Sequence, residues 1–178
     1  MGRKFGTLGA MRRRSDGTEV RVEITTYRSD AYEPDSRKPD VTYGSSLEGD
    51  LSRRDFTVNA MALRVPEVVF VDPFHGASDL ANGLLRTPIE PERSFEDDPL
   101  RMMRAVRFVA QLRFRIEAST AEAISRMAQR LSIVSAERVR DELTKLLLSS
   151  RPRDGVEALV DSGLADVVIP EIPALRLE

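Results

Sequence analysis

The chain has 178 residues, 41% of them hydrophobic, and no cysteine. That is enough for one medium domain or two small ones with a real core, and it excludes disulfides, cysteine-ligated zinc and a thiol nucleophile. A net charge of −2 excludes a uniformly basic nucleic-acid coat, while local basic patches stay possible.

From the N-terminal side, "FGTLGAM" and "TEVRVEITTY" read as two strands, the second over about residues 18–27, joined at Asp16-Gly17, a hairpin signal. "SDAYEPDSRKPDVTYGSS" is polar, holds two prolines and shows no periodicity, so a loop is expected. "SLEGDLSRRD" suggests a short helix. "FTVNAMALRV" and "EVVFVDP" read as two more strands with a turn near Pro66. The lone histidine, His75, lies in the turn-like "DPFHG" and is expected at the surface.

From residue 76 the pattern is helical. "ASDLANG" reads as a short helix ending near Gly83. "DPLRMMRAVRFVAQL" follows, with Asp97 or Asp98 as its cap and Pro99 in its first turn. "STAEAISRMAQRL" opens on a capping-box spacing, Ser119 to Glu122. "SAERVRDELTKLLLS" places a cap at Ser135, and "RDGVEALVDSG" stops at Gly163, a glycine suited to the position after a helix. "DVVIPEIPALRLE" is short, apolar and broken by proline, and is expected to need something to pack on. No apolar run approaches the ~18 residues of a membrane span. The start, "MGRKFGTLGAMRRRS", lacks a signal-peptide core. A cytoplasmic protein with no membrane partner is expected, with its oligomeric state left open.

Arginine outnumbers lysine 24 to 3. Codon bias accounts for such a ratio, and so does a need for guanidinium forks that grip phosphates and base edges. In "SFEDDPLRMMRAVRFV", Arg101, Arg104 and Arg107 recur every three residues at a helix start. Each step of three turns about 300°, so the row drifts across roughly 120° of the surface and spans about 9 Å. A solvated face of an ordinary amphipathic helix has this pattern too. Against it stands the helix dipole: cations at an N-terminus are disfavoured unless an anion is near. Asp98 and Arg101 offer a joint acceptor–donor edge of the kind that reads a nucleobase. In "DLSRRDFTVNAM", Arg53, Arg54, Asp55 and Asn59 gather where helix gives way to strand. They read either as a surface ion pair of little worth or as a phosphate clamp in which Asp55 orients an arginine and Asn59 fixes backbone or ribose.

Four segments in this order, "DLSRRDFTVNAMAL", "DPFHGASDLANGLLR", "FEDDPLRMMRAVRFVAQLRF" and "ERVRDELTKLLL", resemble the class II tRNA nucleotidyltransferase (CCA-adding enzyme) and bacterial poly(A) polymerase family, and the resemblance covers nearly the whole chain. It implies an α+β fold: an incomplete nucleotidyltransferase head with a small mixed or antiparallel sheet over residues 1–83, then an all-α neck over 84–178 that selects the base. It implies template-independent addition of CMP and AMP to a tRNA or other RNA 3′ end, from CTP and ATP with Mg²⁺. Arg54, Asp55 and Asn59 are the implied nucleotide residues of the first motif. Asp98 and Arg101 would read the base edge, with Arg104 and Arg107 along the same pocket. "DPFHGASDL" resembles the family's flexible element between head and neck.

One departure is large. The family's G-G-x-V-R-D and G-S-x-x-D-x-D segments, the second of which supplies the metal-binding carboxylates, do not occur in these 178 residues. Glu19 and Glu23 are weak catalytic candidates and equally read as solvent-facing strand residues; a lone glutamate offers too few metal ligands. The expectation is therefore a truncated part with little transferase activity of its own, Mg²⁺ being bound mainly by residues outside it, and with exposed sheet edges. Poly(A) addition, and a non-catalytic nucleotide- or RNA-binding module on the same scaffold, stand as alternatives.

Overall fold

The computed structural model describes residues 7–31, 40–43 and 46–175. The chain divides within its first helix into two compact units, Met1–Asp50 and Leu51–Glu178.

In the first unit, β1 (Thr7–Arg13) and β2 (Glu19–Thr25) form an antiparallel hairpin with Thr7 opposite Thr25 and Arg13 opposite Glu19. Its turn works as the sequence suggests: Gly17 sits at φ +84°, and Asp16 accepts from the backbone N–H and hydroxyl of Thr18. Both faces of the hairpin meet solvent, with Leu8, Met11, Val22 and Ile24 at least half exposed. The expected loop contains a second hairpin. β3 (Arg28–Ala31) and β4 (Asp40–Tyr43) pair antiparallel; four residues each, on either side of a proline-bearing stretch, are too few to show alternation. The short helix expected next is α1 (Leu47–Ser52).

In the second unit, "FTVNAM" does not extend as a strand. Thr57–Asn59 is a 3₁₀ turn, and the strand begins only at β5 (Ala62–Arg64), paired with β6 (Val69–Val71). The reason is local: the Asp55 carboxylate takes the Phe56 N–H at 2.9 Å and the Asn59 amide at 3.0 Å, coiling the backbone around itself. α2 (Gly76–Asn82) follows, its free N–H groups on Gly76 and Ala77 held by Asp72 at 2.7 and 3.0 Å. It ends on Gly83 at φ +60°. His75, exposed as expected, precedes the helix.

β7 (Leu84–Leu85) pairs parallel with β8 (Arg115–Ile116), a link inside the helical half that its two-residue strands did not announce. Between them lie α3 (Pro91–Asp97), also unexpected, and α4 (Leu100–Leu112). Asp98 sits extended between these helices and accepts from the Leu100 N–H at 3.2 Å, so it does the work of a cap although Pro99 holds the boundary position. α5 (Ala118–Met127) runs into a 3₁₀ segment, Ala128–Ile133. Its cap is Glu117, not Ser119: extended backbone lets the Glu117 carboxylate reach forward to the Thr120 N–H at 3.0 Å and the Ser119 hydroxyl at 2.6 Å. α6 (Ala136–Leu147) starts after Ser135, whose side chain makes no capping bond. α7 (Pro152–Asp161) ends before Gly163 at φ +75°, and α8 (Ala165–Val168) and α9 (Glu171–Ala174) follow.

The core is built around α4. Leu100, Met102, Met103, Ala105, Val106 and Ala110 are all buried, because α6 and α7 cover one side while Phe56, Phe95 and Ile124 belong to the same apolar cluster. α7 approaches closely through Gly155. A Cβ there would lie 2.8 Å from the Ala110 Cβ and 2.8 Å from the Leu146 Cγ. Helix propensity alone favours alanine over glycine by about 1 kcal/mol. Overpacking of a filled core costs about 1–3 kcal/mol. Gly155→Ala is therefore expected to lower the urea midpoint, and a rise would show that α7 has room to shift. No helix among the described residues is long and apolar enough to cross a membrane.

Candidate functional site

The face of α4 that carries Arg101, Arg104 and Phe108 lies along residues 53–56. These three positions fall within about 60° of one another around the helix. The Arg101 guanidinium donates through Nη2 to the Arg53 carbonyl and through Nη1 to the Ser94 hydroxyl at 2.8 Å and the Ser94 carbonyl at 3.2 Å. Arg104 Nη2 stands 2.6 Å from Asp55 Oδ2. The Phe108 ring meets Phe56 edge-on at 5.7 Å. The two sequence motifs thus fold into one place.

The electrostatic puzzle of the arginine row has an internal answer at its first member. Arg101 is 8% exposed. Its charge turns away from the dipole of its own helix and toward the carbonyl-rich end of α3 and the carbonyl of Arg53. The cost of a cation near a helix start is offset by the partial negative charge of those acceptors, so Arg101 is satisfied within the protein. Arg104 differs. Its contact with Asp55 is close but misaligned, and both Asp55 Oδ2 and Arg104 Nε are buried without a hydrogen-bond partner. Asp55 is 8% exposed while the Arg104 side chain is 37% exposed, so a buried acid holds an arginine that stays partly open to solvent. The acid orients an arginine, as the first motif suggested, but that arginine comes from α4. Arg54, which is exposed, donates to the Asn59 carbonyl at 3.2 Å.

Arg107 lies off this face. Its Nε donates to Glu142 of α6 at 2.6 Å, its Nη1 to Gln111 at 2.6 Å, and its guanidinium carbon is 4.3 Å from the Phe108 ring centre. Glu142 is buried and also takes Lys145 Nζ at 2.9 Å. Burial alone would push the Glu142 carboxyl up. The Lys145 hydrogen bond and the charge of Arg107 outweigh it and hold the group below the ordinary glutamate value. Glu142 was not among the sequence candidates. The signal was present: Val139, Glu142 and Leu146 share one helical stripe, and an acid on an apolar stripe wants a cation. Asp98, from the same stretch as Arg101, accepts from Arg138 of α6 at 2.8 Å.

The resemblance implies Mg²⁺, and the described residues do not fit it. They contain no group of three His, Cys, Asp or Glu side chains gathered for a metal ion. Glu19 and Glu23 are both exposed on β2, about 13 Å apart along the strand, too far to share an ion with ligand distances near ~2 Å.

Comparison with known proteins decides the family. The model for the poly(A) polymerase head domain matches residues 1–86, and that for the probable RNA and SrmB-binding site of polymerase A matches 113–175. The CCA-adding enzyme of Pediococcus pentosaceus is 45% identical over 143 residues, which is 80% of this chain and 36% of that protein. The chain belongs to the CCA-adding enzyme and poly(A) polymerase family. Among solved structures of the family, the Bacillus stearothermophilus CCA-adding enzyme in complex with CTP superposes with a TM-score of 0.79 at 34% identity, covering 94% of this chain and 40% of that one. A tRNA nucleotidyltransferase complexed with a primer tRNA and an incoming ATP analog gives 0.74 at 28% identity, covering 94% and 45%. The chain therefore spans less than half the length of each of these family members. The α+β architecture expected from sequence, hairpins first and helices after, is the family's.

Proposed function

We propose that this chain is the nucleotide-selecting part of an RNA 3′-end nucleotidyltransferase that adds CMP and AMP to tRNA in the cytoplasm, using CTP and ATP. One observation carries the reading. Residues 53–56 and the start of α4 meet along the Arg101–Arg104–Phe108 face, leaving a half-open guanidinium over a buried carboxylate. Relatives bound to CTP and to an ATP analog with tRNA support it.

Arg104, together with Arg54 of the first motif, takes the triphosphate: a guanidinium already held by an acid loses little freedom when it also binds an anion. Asp98 accepts the exocyclic amino group of cytosine or adenine. Arg101, fixed by Ser94 and Arg53, lines the base edge and holds the two motifs together. Asp55 and Asn59 set the position of Arg104. Arg107 acts as a brace between α4 and α6 and reaches a nucleotide only by leaving Glu142. Residues 1–83 supply the head portion of this unit and 84–178 the neck. Phosphoryl transfer itself needs carboxylate-held metal ions, and no transfer step is assigned to the side chains of this chain.

Titration calorimetry with CTP tests the reading. The wild-type chain binds, and Arg104→Ala weakens binding about 10- to 100-fold, the worth of one charge-assisted hydrogen bond to a phosphate. Absence of CTP binding at millimolar concentration, or an unchanged dissociation constant in the variant, overturns it.

A further inference from the structure

We propose that the turn end of the β1–β2 hairpin is a second RNA contact of this chain, one that grips the phosphate backbone of a double-helical stretch. It rests on the reading given above that the chain works on RNA, and on nothing in the nucleotide site. The family's probable RNA-binding region matches residues 113–175, and the hairpin lies outside it. Arg12, Arg13 and Arg14 follow one another into the turn, and Arg21 returns on β2. All are exposed. Among the described residues, none of these guanidiniums makes an ion pair or a side-chain hydrogen bond. Other surface arginines are neutralised: Arg126 meets Glu92, Arg151 meets Asp154 and Arg153 meets Glu157. The acids of the hairpin end do no such work. Asp16 turns back, its Oδ1 accepting from the Thr18 N–H at 2.9 Å and from the Thr18 hydroxyl at 2.6 Å. Glu19 stands opposite Arg13 in the register without pairing to it.

Cations this close repel one another. Arg13 and Arg21 lie on a cross-strand diagonal, about 7–8 Å apart, within a Debye length at physiological salt. In a chain of net charge −2, such a cluster is stabilised by a polyanion from outside. The directions of the side chains select the kind of polyanion. Side chains alternate across a strand. Arg12 therefore shares a face with Ala10 and with Val20, its partner in the register, while Arg13 and Arg21 share the other. Arg14 follows in the turn, its N–H bound to the Thr18 carbonyl at 2.8 Å and its carbonyl to the Gly17 N–H at 3.1 Å. Cations thus stand on both faces and at the tip of a narrow ribbon. A flat anionic surface meets one face of a ribbon; two rows of phosphate with a gap between them meet both. The deep, narrow major groove of A-form RNA is bounded by such rows, and side chains cannot read its base edges. The contact therefore answers to shape and charge and not to sequence, with guanidinium forks matched to phosphate oxygens.

Fluorescence anisotropy with a labelled RNA stem-loop of about 16 base pairs, the span of a duplex-binding module, tests this on the whole chain. One variant combines Arg12→Ser, Arg13→Ser and Arg14→Ser; a second carries lysine at the same positions. Thermal midpoints and CTP calorimetry accompany both. The serine variant is expected to bind the stem-loop about 10- to 100-fold more weakly at low salt. Its slope of log affinity against log salt should be shallower by about 2–3, the counterions that three phosphate contacts release. The lysine variant, which keeps the charge and loses the fork, retains most of the affinity. Both keep the wild-type thermal midpoint and CTP affinity. An affinity and slope unchanged in the serine variant overturn the inference. So does a lysine variant as weak as the serine one, or a single strand of the same length that loses as much as the stem-loop. A wild-type chain that binds CTP but no RNA overturns this inference and leaves the nucleotide reading standing. One that binds the stem-loop through these arginines but not CTP does the reverse.

Discussion

Glu142→Ala is expected to remove about 3–5 kcal/mol of folding free energy at neutral pH, the range for a buried ion pair broken on one side. The Glu142 side chain is 7% exposed and that of Arg107 is 11% exposed. Deleting the acid leaves a guanidinium between α4 and α6 with Gln111 as its remaining side-chain hydrogen-bond partner, and the desolvation cost of that cation then goes uncompensated. Replacing both residues by apolar ones, as in Arg107→Met with Glu142→Leu, removes two charges together and is expected to recover most of the loss. Urea unfolding of the three variants measures this. An alanine variant within about 0.5 kcal/mol of wild type, the ordinary scatter of surface substitutions, would mean that water reaches the pair. The pH dependence follows from the same contacts. Because the folded Glu142 titrates below its ordinary value of 4.5, its stabilising contribution is complete above that pH. It is lost as pH falls through the lower, folded value. The gap in stability between wild type and Glu142→Gln should therefore be wide at pH 7 and should narrow below 4.5. A gap that stays constant down to pH 3 would show that charge plays no part.

How far this could be read from the sequence depended on how local the physics was. The β1–β2 hairpin, α2, α4, α6 and α7 were legible because each carries its own period or its own turn: Gly17, Gly83 and Gly163 each sit at positive φ where a turn or helix end was expected. "FTVNAM" misled because Thr57 and Val58 are β-branched and suit a strand, yet the Asp55 side chain outbids that preference with two hydrogen bonds. α3 escaped notice although Pro91 and Glu92 mark its first turn, because seven residues give too little periodicity. At the site, the sequence showed that cations and acids were concentrated there. It did not show pairing. Arg104 was matched to no acid in its own motif and found Asp55 of the other. Asp98 was set beside Arg101 and is held by Arg138. Such partners differ by dozens of positions and are fixed only when α4 packs on residues 53–56 and on α6.

Gly76→Ala is expected to be among the most damaging single substitutions in the chain, costing about 3 kcal/mol, the upper end for overpacking, and weakening CTP binding as well. An added Cβ would lie 2.1 Å from the Thr57 carbonyl oxygen, 2.8 Å from its carbon and 2.9 Å from the Met61 Cγ. The nearest two of these atoms are backbone, and that backbone cannot give way. The Thr57 N–H is bound to the Arg86 carbonyl at 2.8 Å, and its carbonyl accepts from Ala60 at 2.9 Å. Its hydroxyl donates to the buried Asp79 at 2.7 Å, and Asp79 in turn pairs with Arg86 at 2.8 Å. Nor can α2 retreat freely, since Asp72 grips the Gly76 and Ala77 N–H groups. Relief requires parting α2 from the 3₁₀ turn, and Asp55, two residues before Thr57, moves with that turn and takes the anchor of Arg104 with it. Loss of stability and loss of CTP affinity should therefore appear together. Gly49→Ala is the control, because its Cβ meets only Ser46 atoms at 3.8 Å, and it should leave both unchanged or gain slightly. Urea unfolding and calorimetry on the two variants check this; a Gly76→Ala chain as stable as wild type would show that the turn at Thr57 is not pinned as its hydrogen bonds require.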